Sequence, residues 1–156
     1  MKNYLLLIVA VFFYNVIYAQ SYNTDSNYLG QYIKRMYINE PFQGAKIISD
    51  IDNCYLACIV VENTLPNESV MLRKAEVKAM RYANEFLNGA QITSESIVYT
   101  KKNSNGYSYE EIEDYIESRS VGYIQQMQIL STFSNDAGKR VYIFSKELPM
   151  PKKRKK

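Results

Sequence analysis

Apolar residues along this chain change their spacing from segment to segment, and the spacing predicts the elements. Tyr4 to Ala19, "YLLLIVAVFFYNVIYA", is almost unbroken apolar sequence. A polar run, "QSYNTDSN", follows it. In "NYLGQYIKRMYI" (27–38), Tyr28 or Leu29, Tyr32 or Ile33, and Met36 or Tyr37 recur at helical intervals, so a short helix is expected. "EPFQG" ends it. "AKIIS" (45–49) and "CYLACIVVE" (54–62) are rich in β-branched and aromatic residues, with Asp50, Asp52 and Asn53 between them. That pattern predicts a hairpin.

Residues 68–89, "ESVMLRKAEVKAMRYANEFLNG", carry the strongest periodicity. Leu72, Ala75, Ala79, Tyr82, Ala83 and Phe86 return every three or four positions and mark one buried helical stripe. Asn67 or Ser69 is placed to cap its start, and Gly89 to end it. Three alanines four residues apart let the helix backbone approach a sheet closely. Arg73, Lys74, Glu76, Lys78 and Arg81 fall mostly on the other side and predict a solvated face.

"QITSESIVYTKK" (91–102) alternates with Ile92, Ser94, Ser96 and Val98 on one parity, which predicts a strand. "NSNG" is a loop. "YSYEEIEDYIES" fits a short helix with Tyr109, Ile112 and Ile116 on its apolar side. "VGYIQQMQILSTF" (121–133) and "RVYIFSKEL" (140–148) bracket the turn "SNDAG" and predict a second hairpin. Gly122 interrupts the first of these strands, as a bulge or tight strand entry does. Gln125, Gln126 and Gln128 are polar positions on a half-exposed strand. The expected fold class is α+β: an antiparallel sheet of about four or five strands, with the 68–88 helix on one face.

Order and spacing together carry a resemblance. The hairpin is followed by the helix with Ala75, Ala79 and Ala83, which ends in Phe86, Leu87 and Gly89. Ser118 or Ser120, Gly122 and Ile124 then lead into the second hairpin. Over about residues 45–147 this resembles the small bacterial envelope modules related to the amino-terminal domain of flagellar assembly protein T and to the twenty-kilodalton outer-membrane lipoproteins. The resemblance implies an exported α+β module used in assembly or binding, with no catalytic residues to carry over. The chain departs from the lipoproteins in having no cysteine to bear a lipid.

Charge then divides the chain. Met1-Lys2-Asn3 ahead of the apolar run, with Ala19 at its end, describes a secretory signal peptide cut near Ala19. A retained anchor is the competing reading, but the run is short of the roughly 20 residues a spanning helix needs and Asn15 interrupts it. Of 19 basic residues, Lys2 lies in this signal and five are Lys152, Lys153, Arg154, Lys155 and Lys156; the remaining 13 face 16 acidic residues. The predicted organisation is a signal at 1–19, a polar segment and short helix at 20–44, one α+β domain at 45–148, and a basic disordered tail at 149–156. A mildly acidic body with basic charge confined to its end excludes a nucleic-acid-binding face. It leaves export to the periplasm or beyond, and a protein or anionic envelope component as partner.

Candidate chemistry narrows further. The chain has no histidine, which removes histidine-dependent triads and histidine-bound zinc. No phosphate-cradling glycine loop or nucleophile elbow occurs. Cys54 and Cys58 on one strand are roughly 13 Å apart, beyond the about 7 Å a disulfide allows. They are expected as buried small residues, with a bridge between chains as the alternative. Asp50, Asp52 and Asn53 lack the glycine and glutamate of a calcium loop, Tyr55 and Val61 standing in those places. "NES" at 67–69 fits a glycosylation sequon that matters only in a host with that machinery. No catalytic, cofactor or metal residues are assigned. The alternative to a binding module is a glycan or cell-wall hydrolase built on Glu110, Glu113, Asp114 and Glu117, which could share one side of a helix.

The tail generates the first test. Each of its cations gains about 1 kcal/mol near an anionic membrane surface, an attraction that salt screens. Deleting residues 152–156 is expected to weaken low-salt binding to anionic vesicles; unchanged binding refutes this.

Overall fold

The computed structural model describes residues 26–50, 53–89, 93–100, 106–119 and 126–150. The elements run α1 (Ser26–Asn39), β1 (Gly44–Ser49), β2 (Cys54–Glu62), α2 (Glu68–Gly89), β3 (Ile97–Tyr99), α3 (Tyr109–Arg119), β4 (Gln128–Ser134) and β5 (Arg140–Leu148). The fold is α+β, with one five-stranded sheet in the order β3-β1-β2-β5-β4. The segment expected as a signal at 1–19, the basic residues 152–156, Gly122 and Gln125 lie outside the described residues.

Three expectations change. The sheet is mixed, because β3 runs parallel to β1 with Ile47 opposite Ile97 and Ser49 opposite Tyr99. Alternation along one strand carries no information about the direction of its neighbour, so an antiparallel sheet was the wrong inference. Of the strand expected over 91–102, the described residues 93–100 form strand only at Ile97–Tyr99, behind a 3₁₀ turn at Ser94–Ser96. There the Ser96 hydroxyl accepts from the Thr93 N–H and donates to the Thr93 carbonyl, a local bond that competes with the ladder. Finally, helices cover both faces of the sheet rather than one.

The hairpins hold as read. Ser49 pairs with Cys54 at the closed end of the first. In the second, Asn135 Oδ1 accepts from the N–H groups of Ala137 and Lys139, and Gly138 takes a left-handed φ of 71°, which glycine adopts without a Cβ penalty.

On one face, α2 lays Ala75, Ala79 and Ala83, all fully buried, over Ile47, Leu56, Cys58 and Val60. Met71, not Leu72, is the buried residue of its first turn; Leu72 and Tyr82 are only partly covered. Asn67 caps the helix by accepting from the Val70 N–H at 3.1 Å. α3 adds Ile112, Tyr115 and Ile116 to the same core. Its start is a reciprocal capping box: the Glu111 N–H donates to Ser108 Oγ, and the Ser108 N–H to Glu111 Oε2.

On the opposite face, α1 lies over β4 and β5. Its buried stripe is Leu29, Ile33 and Tyr37, packed with Ile48, Ala57, Ile59, Val141 and Ile143. Tyr37 meets Phe133 edge-on, with ring centroids 5.7 Å apart, and its hydroxyl accepts from Asn135 Nδ2 at 3.2 Å. Gly30 makes the approach possible. A Cβ there would lie 3.2 Å from both Cβ and the carbonyl oxygen of Leu130, at the point where the β4–β5 register shifts between Ile129 and Ser131.

Ile33 is fully buried at the centre of this second core. Ile33→Ala is expected to lower unfolding free energy by about 2–5 kcal/mol, measured as a reduced urea midpoint at unchanged slope. A loss under about 0.5 kcal/mol, the range of ordinary surface changes, would mean that α1 is not part of the cooperative unit.

Candidate functional site

Three places bring polar or reactive groups together, and their surroundings separate structural from binding roles. The first lies where β1 and β3 end. Ser49 and Asp50 are buried; the Thr100 hydroxyl donates to Asp50 Oδ1 at 2.9 Å, and the Thr100 N–H to the Ser49 carbonyl at 3.0 Å. Cys54 Sγ donates to Ser49 Oγ at 3.5 Å. Asp50 and Asn53, considered above as calcium ligands, are bonded within the turn, the Asp50 N–H donating to the Asn53 carbonyl; Asp52 lies outside the described residues. These bonds tie β3 to the first hairpin. Cys54 and Cys58 are both buried, and neither is in a disulfide among the described residues. Burial pushes the Cys58 thiol up to about 12, so it is neither a nucleophile nor a ready disulfide partner at neutral pH.

The second place is the buried carboxylate Glu62 at the end of β2. Lys74 Nζ lies 3.1 Å from its Oε2, and Lys78 Nζ 2.5 Å from its Oε1. The two lysines, four apart on α2, reach down to one strand end; Lys74 stays exposed, as the solvated face predicts, while Lys78 is partly covered. Burial alone would raise the Glu62 carboxyl, but hydrogen bonds and charge from Lys78 and Lys74 outweigh it and hold the group low. Beside it, Arg140 pairs with Glu62 across the strands and bonds Glu68 at 3.0 Å.

The third is a groove of about 270 Å³ between α2 and the chain entering β4. Glu76 and Met80 form one wall, Gln126 and Met127 the other, and Phe144 the floor. Phe144 pairs with Ile129 of β4, whose side chain is 41% exposed. Glu76 is solvent-exposed and makes no ion pair among the described residues. Neither methionine was singled out from the sequence. Only Glu76 and Gln126 were noted, each as an ordinary polar surface position.

Of the acids of α3, Glu110, Glu111, Glu113 and Asp114 do not line this groove, and the side chain of Glu117 lies outside the described residues. Glu110 is exposed; its own backbone N–H and the Ser108 hydroxyl hold its carboxyl below the usual value, the opposite of what a general acid requires. Glu113 accepts from the Tyr109 hydroxyl at 3.0 Å, and Asp114 is exposed. Ser118 lies in the last turn of α3; Ser120 and Ile124 fall outside the described residues. Among the described residues no group of acids or cysteines is arranged to hold a metal ion, and no helix is long and apolar enough to cross a membrane. Comparison with protein-family models, curated proteins and solved structures gives no match to this chain.

The Glu62 clamp has a definite pH dependence. A carboxyl held low in the fold stabilises it fully above the unfolded-state value, and that contribution is lost as pH falls through the folded value. Removing one partner of a buried pair costs about 3–5 kcal/mol. With both lysines partly solvated, Glu62→Gln is expected to cost roughly 1–3 kcal/mol at pH 7. The gap between wild type and variant should close on acidification below the carboxylate range, read from denaturant unfolding at several pH values. A gap that stays constant with pH would show that Glu62 contributes packing and no charge.

Proposed function

We propose that this is a non-catalytic binding module of an exported bacterial envelope protein, and that it engages a partner protein by adding a strand at β4. The observation that carries this reading is the edge of β4. The strand, "QILSTFS", pairs only with β5 among the described residues, and it contains no charge and no proline. Folded proteins blunt a free edge with charges, prolines or very short strands, because a row of open N–H and C=O groups is a template for another chain. The other edge, β3, is three residues long. β4 has seven, and its side chains at Gln128, Ile129, Thr132 and Ser134 are exposed.

Strand addition takes its affinity from backbone hydrogen bonds and its selectivity from pockets for alternate side chains. The edge supplies the first, and the exposed side chains of Ile129 and Thr132 on one face of β4 are the surface that alternate side chains of an added strand would meet. Export is supported by the basic start and apolar run ending at Ala19. The resemblance to the flagellar assembly protein T domain and the twenty-kilodalton lipoproteins implies the same kind of role. The basic tail, Lys152 to Lys156, supplies electrostatic attraction toward anionic lipid or an acidic partner.

The test places a photo-crosslinking residue at position 128 on the edge, and separately at exposed position 85 on α2, in cells making the full chain. One discrete adduct is expected from position 128. It should disappear when Thr132→Lys puts a charge on the edge. Equal crosslinking from both positions, or an adduct indifferent to Thr132→Lys, rejects strand addition.

A further inference from the structure

We infer that the partner segment is an extended peptide carrying an aspartate or glutamate opposite Phe133, on the side of the sheet that α1 covers, with its carboxylate paired to Lys34. This rests on strand addition at β4 and adds the chemistry of what is added.

Position carries the inference. α1 follows the edge strand along its length: Gly30 approaches Leu130, the ammonium of Lys34 stands 4.8 Å from the ring centroid of Phe133, and Tyr37 meets Phe133 and Asn135. Leu29, Ile33 and Tyr37 turn inward to the buried cluster. Lys34 follows Gly30 by four residues, so it shares the flank of α1 that lies along β4. Among the described residues no strand lies beyond β4. Phe133 sits past the bulge, where β4 pairs in regular register with β5 from Ser131 to Ser134. A residue directly opposite Phe133 on an added strand therefore points to the same face, with its Cβ about 4.5–5.5 Å from that of Phe133. A carboxylate one or two carbons beyond that Cβ is delivered beside the ring that Lys34 covers.

Charge decides what stands there. Lys34 makes no ion pair among the described residues. Its contact with the face of Phe133 is electrostatic and leaves N–H donors of the ammonium open to an acceptor. β4 itself is uncharged, so nothing on the strand neutralises Lys34 or repels a carboxylate. A lysine or arginine opposite Phe133 would meet a like charge at close range, which is unfavourable. On the other face of β4, exposed Ile129, Thr132 and Ser134 carry no charge, so the acidic preference is confined to the peptide side chains that face α1. A second copy of this chain fits less well, because "QILSTFS" offers no carboxylate to Lys34.

The experiment selects a displayed library of random decapeptides on the protein, then measures the best peptide by fluorescence anisotropy. Enriched sequences are expected to share an Asp or Glu at one position. Lys34→Gln should weaken the selected peptide roughly two- to fivefold, the range of a solvent-accessible ion pair, and Lys34→Arg should retain it. Reselection on Lys34→Glu should enrich Lys or Arg instead. Circular dichroism and the urea midpoint check that each variant is folded; should Lys34→Glu not fold, the contrast between Lys34→Gln and Lys34→Arg decides. N-methylating the peptide amides one at a time should abolish binding at alternate positions, because alternate N–H groups of an added strand point at the edge. If the Lys34 variants leave the acidic preference intact while N-methylation acts at alternate positions, the assignment of Lys34 fails and strand addition stands. If no N-methylated position matters, or no sequence is enriched, both fail. A concentration-dependent dimer in sedimentation, crosslinked to itself through position 128, would make the occupant a second copy and overturn the peptide assignment.

Discussion

Everything in this fold follows from β2 being buried on both faces. Cys54, Leu56, Cys58, Val60 and the carboxylate Glu62 point toward α2, while Ala57 and Ile59 point the other way. A strand with one apolar face can leave the other in water; this one cannot. Burying a large aliphatic side chain contributes about 1.5–3 kcal/mol, and that gain is realised on the second face only if something covers it. α1 is that cover. The segment ahead of the first hairpin is therefore joined to the domain by the composition of β2, although nothing near α1 itself announces it.

The two helices solve the covering problem differently. α2 uses side chains too small to hold its backbone away, and fixes its position with a polar clamp. Glu62 on the strand end fixes where Lys74 and Lys78 sit, and so limits sliding of the alanine ridge along the sheet. α1 has larger contact residues in Leu29, Ile33 and Tyr37, and makes a close approach at Gly30. One face is held by small residues and a directional ion pair, the other by bulk and one glycine.

These arrangements were unequally legible in the sequence. Helical periodicity over 68–89 was strong enough to give both bounds and the three buried alanines, because repeated spacing over six turns leaves few alternatives. Both hairpins were legible from β-branched runs around turn residues. The direction of β3 was not, since strand order and parallelism are set by long-range packing. Its length was misjudged because Ser94 and Ser96 satisfy an alternating pattern while Ser96 bonds locally to Thr93. The capping box at Ser108 and Glu111 was present as Ser-x-x-Glu and passed unread. Lys74 and Lys78 looked like surface charges because their partner is distant in sequence. The groove was least legible of all: Met80, Met127 and Phe144 come from α2, the chain entering β4 and β5, which only the sheet order brings together.

The bulge at Leu130 links the covering problem to the candidate site. Leu130 breaks the β4–β5 register, and a bulge ordinarily twists an edge strand away from further pairing. Here α1 bears directly on it through Gly30, while Phe133 is held between Tyr37 and the ammonium of Lys34, 4.8 Å from its ring. The face that α1 covers is thereby fixed, and the opposite side of β4 is left with exposed Ile129 and Thr132. An edge held rigid from one side loses less conformational freedom when a strand is added from the other, and such ordering costs are what separate weak from tight association at equal area. The helix that the buried β2 requires is thus also what fixes the backbone of β4, the strand on which the proposed strand addition depends.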